Sequence, residues 1–501
     1  MPALSSLPVY RSAGIRAIES SAIAAAACPG LMERAGLAAA RIARERLLVQ
    51  GRSVLVIAGP GNNGGDGFVL ARHLMQDWYR VSVLFIGEPD RLPADARAAC
   101  EAWIAAGGAL MDRLPEHHPD LVVDALFGIG LTRAPEGRAA ELVQWMNGQP
   151  APVLALDIPS GLSADTGAVL GTAVRAAFTV TFIALKPGLL TLDGPDHVGQ
   201  WEVCDLELDA QSLQLPVGRL IGMACLNDVL APRPRNSHKG SFGSLGIVGG
   251  AAGMTGAALL AGRAALQLGA GRIYLGLLRK ELSVDPNQPE LMLREAGEVV
   301  EMSQLNCLVL GPGLGQSPPA RSAVALALER ELPLLLDADA LNLLGAHDVL
   351  RDVCRSRRAA TLLTPHPAEA ARLMGCTTAE VQNDRVAAAV ALAQRYRAGV
   401  ALKGAGTVVA APDGHWWMND TGNPGLASAG MGDVLSGICG ALLAQGVEPL
   451  AALRTGVHLH GRAADMRAQA QGGWIGMTAS EVTAAARELL NDAIYGPAID
   501  V

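Results

Sequence analysis

At 501 residues the chain exceeds what one hydrophobic core usually organises, so at least two domains are expected. With 50% hydrophobic residues, 18% charged residues and a formal net charge of -8, it reads as a compact chain without the basic surplus that bulk attraction to nucleic acid or anionic membranes needs. No apolar run reaches the roughly 18 residues of a membrane span, and the eight cysteines, with no C-x-x-C pair, read as free thiols of a reducing cytosol.

The Ala-rich stretch at 21–30 lacks the three-part layout of a signal peptide and is expected to be helical. Apolar, β-branched runs at 53–58, 81–86, 121–126, 153–156 and 179–184 predict buried parallel strands. Helical patterns at 68–77 and 94–106 fill gaps between them, which makes successive βαβ units and a doubly wound sheet. Ligands of such sheets bind beyond the carboxyl ends of the strands.

Those ends carry the informative residues. The first is Gly61-Asn62-Asn63-Gly64-Gly65-Asp66-Gly67, whose glycines suit close main-chain approach and positive φ, while the asparagines add donors and acceptors. Asp124 precedes Ala125-Leu126-Phe127-Gly128, and Asp157 precedes Ile158-Pro159-Ser160-Gly161. Each Asp alone could merely cap a helix or turn. Together at one rim they suit a monovalent cation or proton transfer, with Asp157 as the acid/base candidate.

Between 207 and 235 the alternation lapses, placing the division near 220, with domains at 1–218 and 222–501. A second α/β series follows, with strands expected at 245–248, 272–275, 307–310, 334–336, 361–363, 400–402 and 408–410. Gly430-Met431-Gly432-Asp433 runs into a helix, where amides and the helix dipole favour an anion and Asp433 can deprotonate a hydroxyl. Lys403-Gly404-Ala405-Gly406-Thr407 can present a cation and amides to a nucleotide. His366, between two prolines, sits on stiff backbone suited to substrate contact, although loop histidines are commonly solvated. His458 and His460 read as helix or core histidines, and Trp416 and Trp417 as hairpin packing.

The chain resembles the bifunctional NAD(P)H-hydrate repair enzymes, an NAD(P)HX epimerase domain fused to an ADP-dependent NAD(P)HX dehydratase domain. The resemblance rests on Asn62 to Gly67, Asp124 to Gly128, Asp157 to Gly161 and Lys186-Pro187-Gly188, then on His238-Lys239-Gly240-Ser241, Gly249-Gly250 through Gly256-Ala257, Gly311 to Gly315, Thr364 to Pro367, Lys403-Gly404 and Gly430 to Gly437. It implies a Rossmann-like α/β domain followed by a ribokinase-like α/β domain. The implied substrates are NADHX and NADPHX, held in the first half by Asn62, Asn63, Gly64, Gly65, Asp66, Gly128, Ile129, Gly130, Leu131, Thr132, Arg133, Ala134 and Asp157. Asn63, Asp124 and Ser160 would hold potassium, and Asp157 would assist loss and return of the C6 hydroxyl. In the second half Ala257, Gly315, His366 and Asp433 would face the hydrate, while Lys403, Gly404, Ala405, Gly406, Thr407 and Gly432 face ADP with Mg²⁺. There ADP phosphorylates the S epimer, and expulsion of phosphate restores NADH or NADPH. Ile129 stands where the family often has threonine, and Ser428-Ala429 where threonine and glycine are common.

A cytoplasmic homo-oligomer without nucleic-acid or membrane partners is expected. The alternative is a small-molecule kinase of thiazole or sugar type, fused to a non-catalytic N-terminal binding module. It predicts a stable phosphorylated product in place of phosphate release.

Overall fold

The computed structural model describes residues 7–24, 30–226, 229–279 and 282–496. They form two compact units, Pro8–Val217 and Gly218 onward, the latter including Leu7. The amide of Leu220 donates to the carbonyl of Leu7 at 2.8 Å.

The first unit is built on a seven-stranded sheet in the order Leu110–Met111, Arg80–Phe85, Ser53–Ala58, Leu121–Ala125, Val153–Leu156, Phe178–Phe182, Gln200–Cys204. All of its pairings are parallel. Leu121–Ala125 and Phe178–Phe182 are buried at every position, which explains their unbroken apolar sequence. Gln200–Cys204 lies at an edge with Gln200 exposed, so its mixed sequence gave no strand signal. Starting from Ser53–Ala58 the chain builds one side of the sheet, then returns to place Leu121–Ala125 on the other. The loops after these two strands therefore diverge, and a crevice opens between them.

The glycine motif departs from expectation. Its helix spans Asn62–Gln76, so Gly64, Gly65 and Gly67 lie inside it, and none of the three has positive φ. Their absent side chains serve packing instead. A Cβ on Gly64 would overlap the carbonyl of Gly59, and one on Gly67 would sit 2.7 Å from Cβ of Ala125. At the N-terminal end, helix Ser12–Ala24 covers part of the Ala-rich stretch, whose residues 25–29 lie outside the described residues.

The second unit holds strands in the order Gly218–Leu220, Trp416–Met418, Val408–Ala410, Gly399–Leu402, Thr361–Leu363, Leu334–Leu336, Cys307–Leu310, Ser244–Gly249, Arg272–Leu277, Met292–Glu295. Among the described pairings of these strands, those of Val408–Ala410 with its two neighbours are the antiparallel ones. Trp416 and Trp417 lie in the resulting hairpin opposite Ala410 and Val409. Helix Met431–Ala444 is apolar nearly all round because it is buried, and a Cβ on Gly437 would strike the carbonyl of Ala261 in helix Thr255–Gln267. His458 and His460 are buried in helix Pro449–Gln471.

Candidate active sites

In the first unit the crevice is a cavity of about 510 Å³. Asn62, Asn63 and Asp66 line it from one loop, Gly128 to Arg133 from the other, and Asp157 from its floor. Gly64, Gly65 and Ala134 are not on its wall.

Asp157 ends strand Val153–Leu156 in the left-handed region, at φ 67°, where a non-glycine residue is strained. Its carboxylate is ion-paired with Lys186, a fully buried lysine, and accepts from the amide of Phe182 at 3.3 Å. Lys186 also donates to Thr181 Oγ1 at 2.8 Å and to the carbonyl of Phe182 at 2.7 Å. The Lys186 side chain was part of the recognised motif, but its role emerges only from this pairing.

Asp66 and Glu19 share the cavity with Asp157. Burial, then the charges of Asp157 and Glu19, hold the Asp66 carboxyl well above the usual range, against a smaller opposing pull from Lys186. Burial and Asp157 likewise raise Glu19, against Lys186 and Arg16. Glu19 gave no sequence signal, since it sits in an ordinary helix far from the motifs.

Asp124 lies wholly buried and accepts from the amide and hydroxyl of Ser160 at 2.7 and 2.6 Å, and from the amide of Leu126 at 3.2 Å. Burial nevertheless raises it to about 6, the hydrogen bonds from Ser160 acting in the opposite direction. It caps no helix. Ser160 Oγ in turn accepts from the amide of Phe127 at 2.9 Å. Asn63 is 7% exposed, and neither polar atom of its side chain has a partner among the described residues.

In the second unit the loops after successive parallel strands converge at one edge. The amides of Gly250 and Ala251 donate to the carbonyls of Pro312 and Gly313 at 3.1 and 2.7 Å, and a Cβ on Gly313 would lie 3.1 Å from that of Ala257. The Gly315 amide donates to Asp339 Oδ2 at 2.8 Å.

Asp337 is the hub. It is 1% exposed, its Oδ1 accepts from Lys403 Nζ at 2.8 Å, and its Oδ2 accepts from Ser436 Oγ at 2.8 Å. Gly432 packs over the pair, since a Cβ there would stand 3.4 Å from Lys403 Nζ and 3.7 Å from Asp337 Oδ2. Burial alone would lower Lys403, yet Asp337, Glu369 and Asp433 together hold it above its ordinary value. Asp433 lies in the first turn of its helix, whose N-cap is Gly430, so it is not the cap. Burial, then Asp337, raises it to about 6, with Lys403 opposing and Asp339 adding.

His366 caps helix Pro367–Met374, its Nδ1 accepting from the amides of Ala368 and Glu369 at 3.1 and 3.3 Å. That leaves Nε2 as the donor, 3.2 Å from Glu369 Oε1. Burial and the nearby Lys403 and Arg372 lower its pKa. The turn after Lys403 is braced by Arg385, whose guanidinium donates to the carbonyls of Leu402 and Lys403 at 3.2 and 3.3 Å. Asp337 and Asp339 follow strand Leu334–Leu336, the same strand-end pattern that marks Asp124 and Asp157.

Residues 29–188 match the family described as YjeF-related protein N-terminus, and 245–487 the family described as NAD(P)H-hydrate dehydratase. The chain is 42% identical to the bifunctional NAD(P)H-hydrate repair enzyme Nnr of Escherichia coli K12, over 92% of this chain and 89% of that protein. It is 37% identical to the enzyme so named from Coxiella burnetii RSA 493, over 96% of this chain and 99% of that one. Among solved structures, the ADP/ATP-dependent NAD(P)H-hydrate dehydratase of Bacillus subtilis, co-crystallised with ATP/Mg²⁺, is 30% identical and covers 53% of this chain and 94% of that chain, with a TM-score of 0.47.

Proposed function

The chain belongs to the family of bifunctional NAD(P)H-hydrate repair enzymes, and from that premise we propose how its two sites divide the work. The protein is an enzyme that restores hydrated nicotinamide coenzymes. Its N-terminal unit interconverts the R and S epimers of NAD(P)HX, and its C-terminal unit dehydrates the S epimer at the expense of ADP.

The observation that carries this reading is the presence of two separately furnished acidic sites. In the N-terminal one, Asn62, Asn63, Asp66 and the Gly128 to Ala134 loop receive the hydrate, and Asp157 handles the proton of the C6 hydroxyl. In the C-terminal one, Ala257, Gly315, His366 and Asp433 face the hydrate, and Lys403 to Thr407 with Gly432 face the nucleotide. Asp433, held near 6, is ionised at neutral pH and can take the proton of the attacking hydroxyl. Lys403 and the amides of the Met431 helix end neutralise charge on the transferred phosphoryl group. Magnesium would arrive on the nucleotide's phosphates, which supply most of its ligands in sites of this kind.

The donor set beneath the N-terminal cavity fits potassium. Asp124 is buried without a cationic partner among the described residues, and Asn63 has an unpaired amide oxygen. Asn63, Asp124 and Ser160 would hold the ion, which would supply the missing positive charge and fix the loops that shape the cavity.

Among the described residues no helix is long and apolar enough to cross a membrane. The reading carries a cytoplasmic location and self-association, testable by fractionation and light scattering. A kinase with a passive N-terminal module would leave the Lys186–Asp157 pair without a role.

Two variants test the division. Asp157→Asn should abolish conversion of the R epimer while the S epimer is still dehydrated with ADP, and Asp433→Asn should do the reverse. Loss of both reactions in either well-folded variant would sink the assignment.

A further inference from the structure

We infer that Glu19 is the proton donor of the N-terminal site, acting with Asp157, which is ion-paired to Lys186; the inference rests on the epimerase reading above. Glu19 lies on helix Ser12–Ala24 and lines the same cavity as Asp66 and Asp157.

The Lys186 ammonium separates the roles of these carboxyls. An ammonium has three donors, and here they go to Asp157 Oδ1, Thr181 Oγ1 and the carbonyl of Phe182. Asp157 is thereby ion-paired, and no Lys186 donor remains for Glu19 or Asp66. Neither of those carboxyls has a hydrogen-bond or ion-pair partner among the described residues. Unpaired carboxyls that share a partly desolvated cavity with a fixed anion retain protons. Their raised values agree, with burial the largest cause for both.

The surroundings single out Glu19. Arg16 stands one turn before it and helps its anion, whereas Asp66 receives help only from Lys186. Arg16 also reaches the opposite loop, its Nη2 lying 3.9 Å from where a Cβ on Gly130 would be. Arg16 is itself exposed, as are Asp95 and Arg133, the other charged groups on the cavity wall. Asn63, buried on the same wall with its amide unpaired, marks the spot as one built for a ligand.

The step balances without any added reagent. The C6–O bond breaks with its electron pair on oxygen, which takes the Glu19 proton and leaves as water, while the ring nitrogen closes a double bond to C6. Water then adds to the other face and gives a proton to Asp157. Return of that proton to Glu19 through solvent completes the cycle.

The test is Glu19→Gln in the full chain, assayed with the R epimer across pH. The expected result is a kcat lower by about 100-fold, a KM within a few-fold, and loss of the alkaline limb of the kcat profile, the size typical of a missing general acid. Glu19→Asp should recover part of the rate and the limb. Dehydration of the S epimer with ADP should be unchanged, and a wild-type thermal melt of the N-terminal unit reports that the unit carrying the variant is folded. A Glu19→Gln enzyme with wild-type kcat and an intact alkaline limb would overturn the inference alone. Wild-type protein that fails to interconvert the epimers would overturn the epimerase reading, and the inference with it.

Discussion

Lys403 reaches Asp337 at 2.8 Å, and through the same carboxylate it is tied to Ser436, one turn into the helix that carries Asp433. One buried acid thus joins the cationic arm of the phosphate site to its helical arm. Asp337→Ala should destabilise the C-terminal unit by about 3 kcal/mol, because Lys403 then loses its main counter-charge in a largely buried place. The double variant Asp337→Leu with Lys403→Met should regain most of that stability and none of the dehydratase activity. Chemical denaturation of the three proteins checks this, and a double variant no more stable than the single one would refute the pairing.

The pH behaviour of Asp433 follows from its raised value of about 6. As a base it must be ionised, so dehydration should fall as pH drops through about 6. Its effect on stability has the opposite direction. A carboxyl whose folded pKa exceeds the unfolded one favours the fold below about 4, and that contribution is lost as pH rises through about 6. Asp433→Asn should therefore be inactive as a dehydratase yet more stable at pH 8, by ~3 kcal/mol. Thermal melts at pH 5 and pH 8 would show the gap widening with pH; equal gaps would contradict it.

How much of this was legible in the sequence depended on whether a residue's role is local. The parallel strands announced themselves because burial on both faces demands unbroken apolar runs, as in Leu121–Ala125. Asp124 and Asp157 were visible because they end such strands. Glu19 and the pairings of Lys186 and Asp337 were not, since each depends on a partner distant in sequence or on a cavity wall. The glycine motif misled in one respect, because its helix begins at Asn62 and weak helix formers conceal a helix whose glycines are required by packing.

Glycines of that motif should differ sharply on substitution. Gly61 has open space where a Cβ would go, whereas at Gly64 a Cβ would overlap the carbonyl of Gly59. Gly61→Ala should leave the melting temperature nearly unchanged, and Gly64→Ala should destabilise by about 1–3 kcal/mol through overpacking. Differential scanning calorimetry distinguishes them, and similar melts for the two would show that the close approach is not needed.

Asn63 should show function traded against stability. Both its polar atoms are buried without partners among the described residues, so Asn63→Ala should cost under about 0.5 kcal/mol or even stabilise the ligand-free chain. Epimerisation should nonetheless fall. Potassium chloride, compared with lithium chloride at equal ionic strength, should raise the wild-type melting temperature and leave Asn63→Ala unaffected. An equal response of both proteins to potassium would remove Asn63 from the cation site.

The most direct test of two activities on one chain supplies the purified protein with a mixture of R and S hydrate, ADP and Mg²⁺, and follows the reduced-nicotinamide absorbance. Conversion should run to completion in the wild type, and in Asp157→Asn it should slow sharply once the S form is exhausted. Wild-type conversion that stalls at the S fraction would contradict the account.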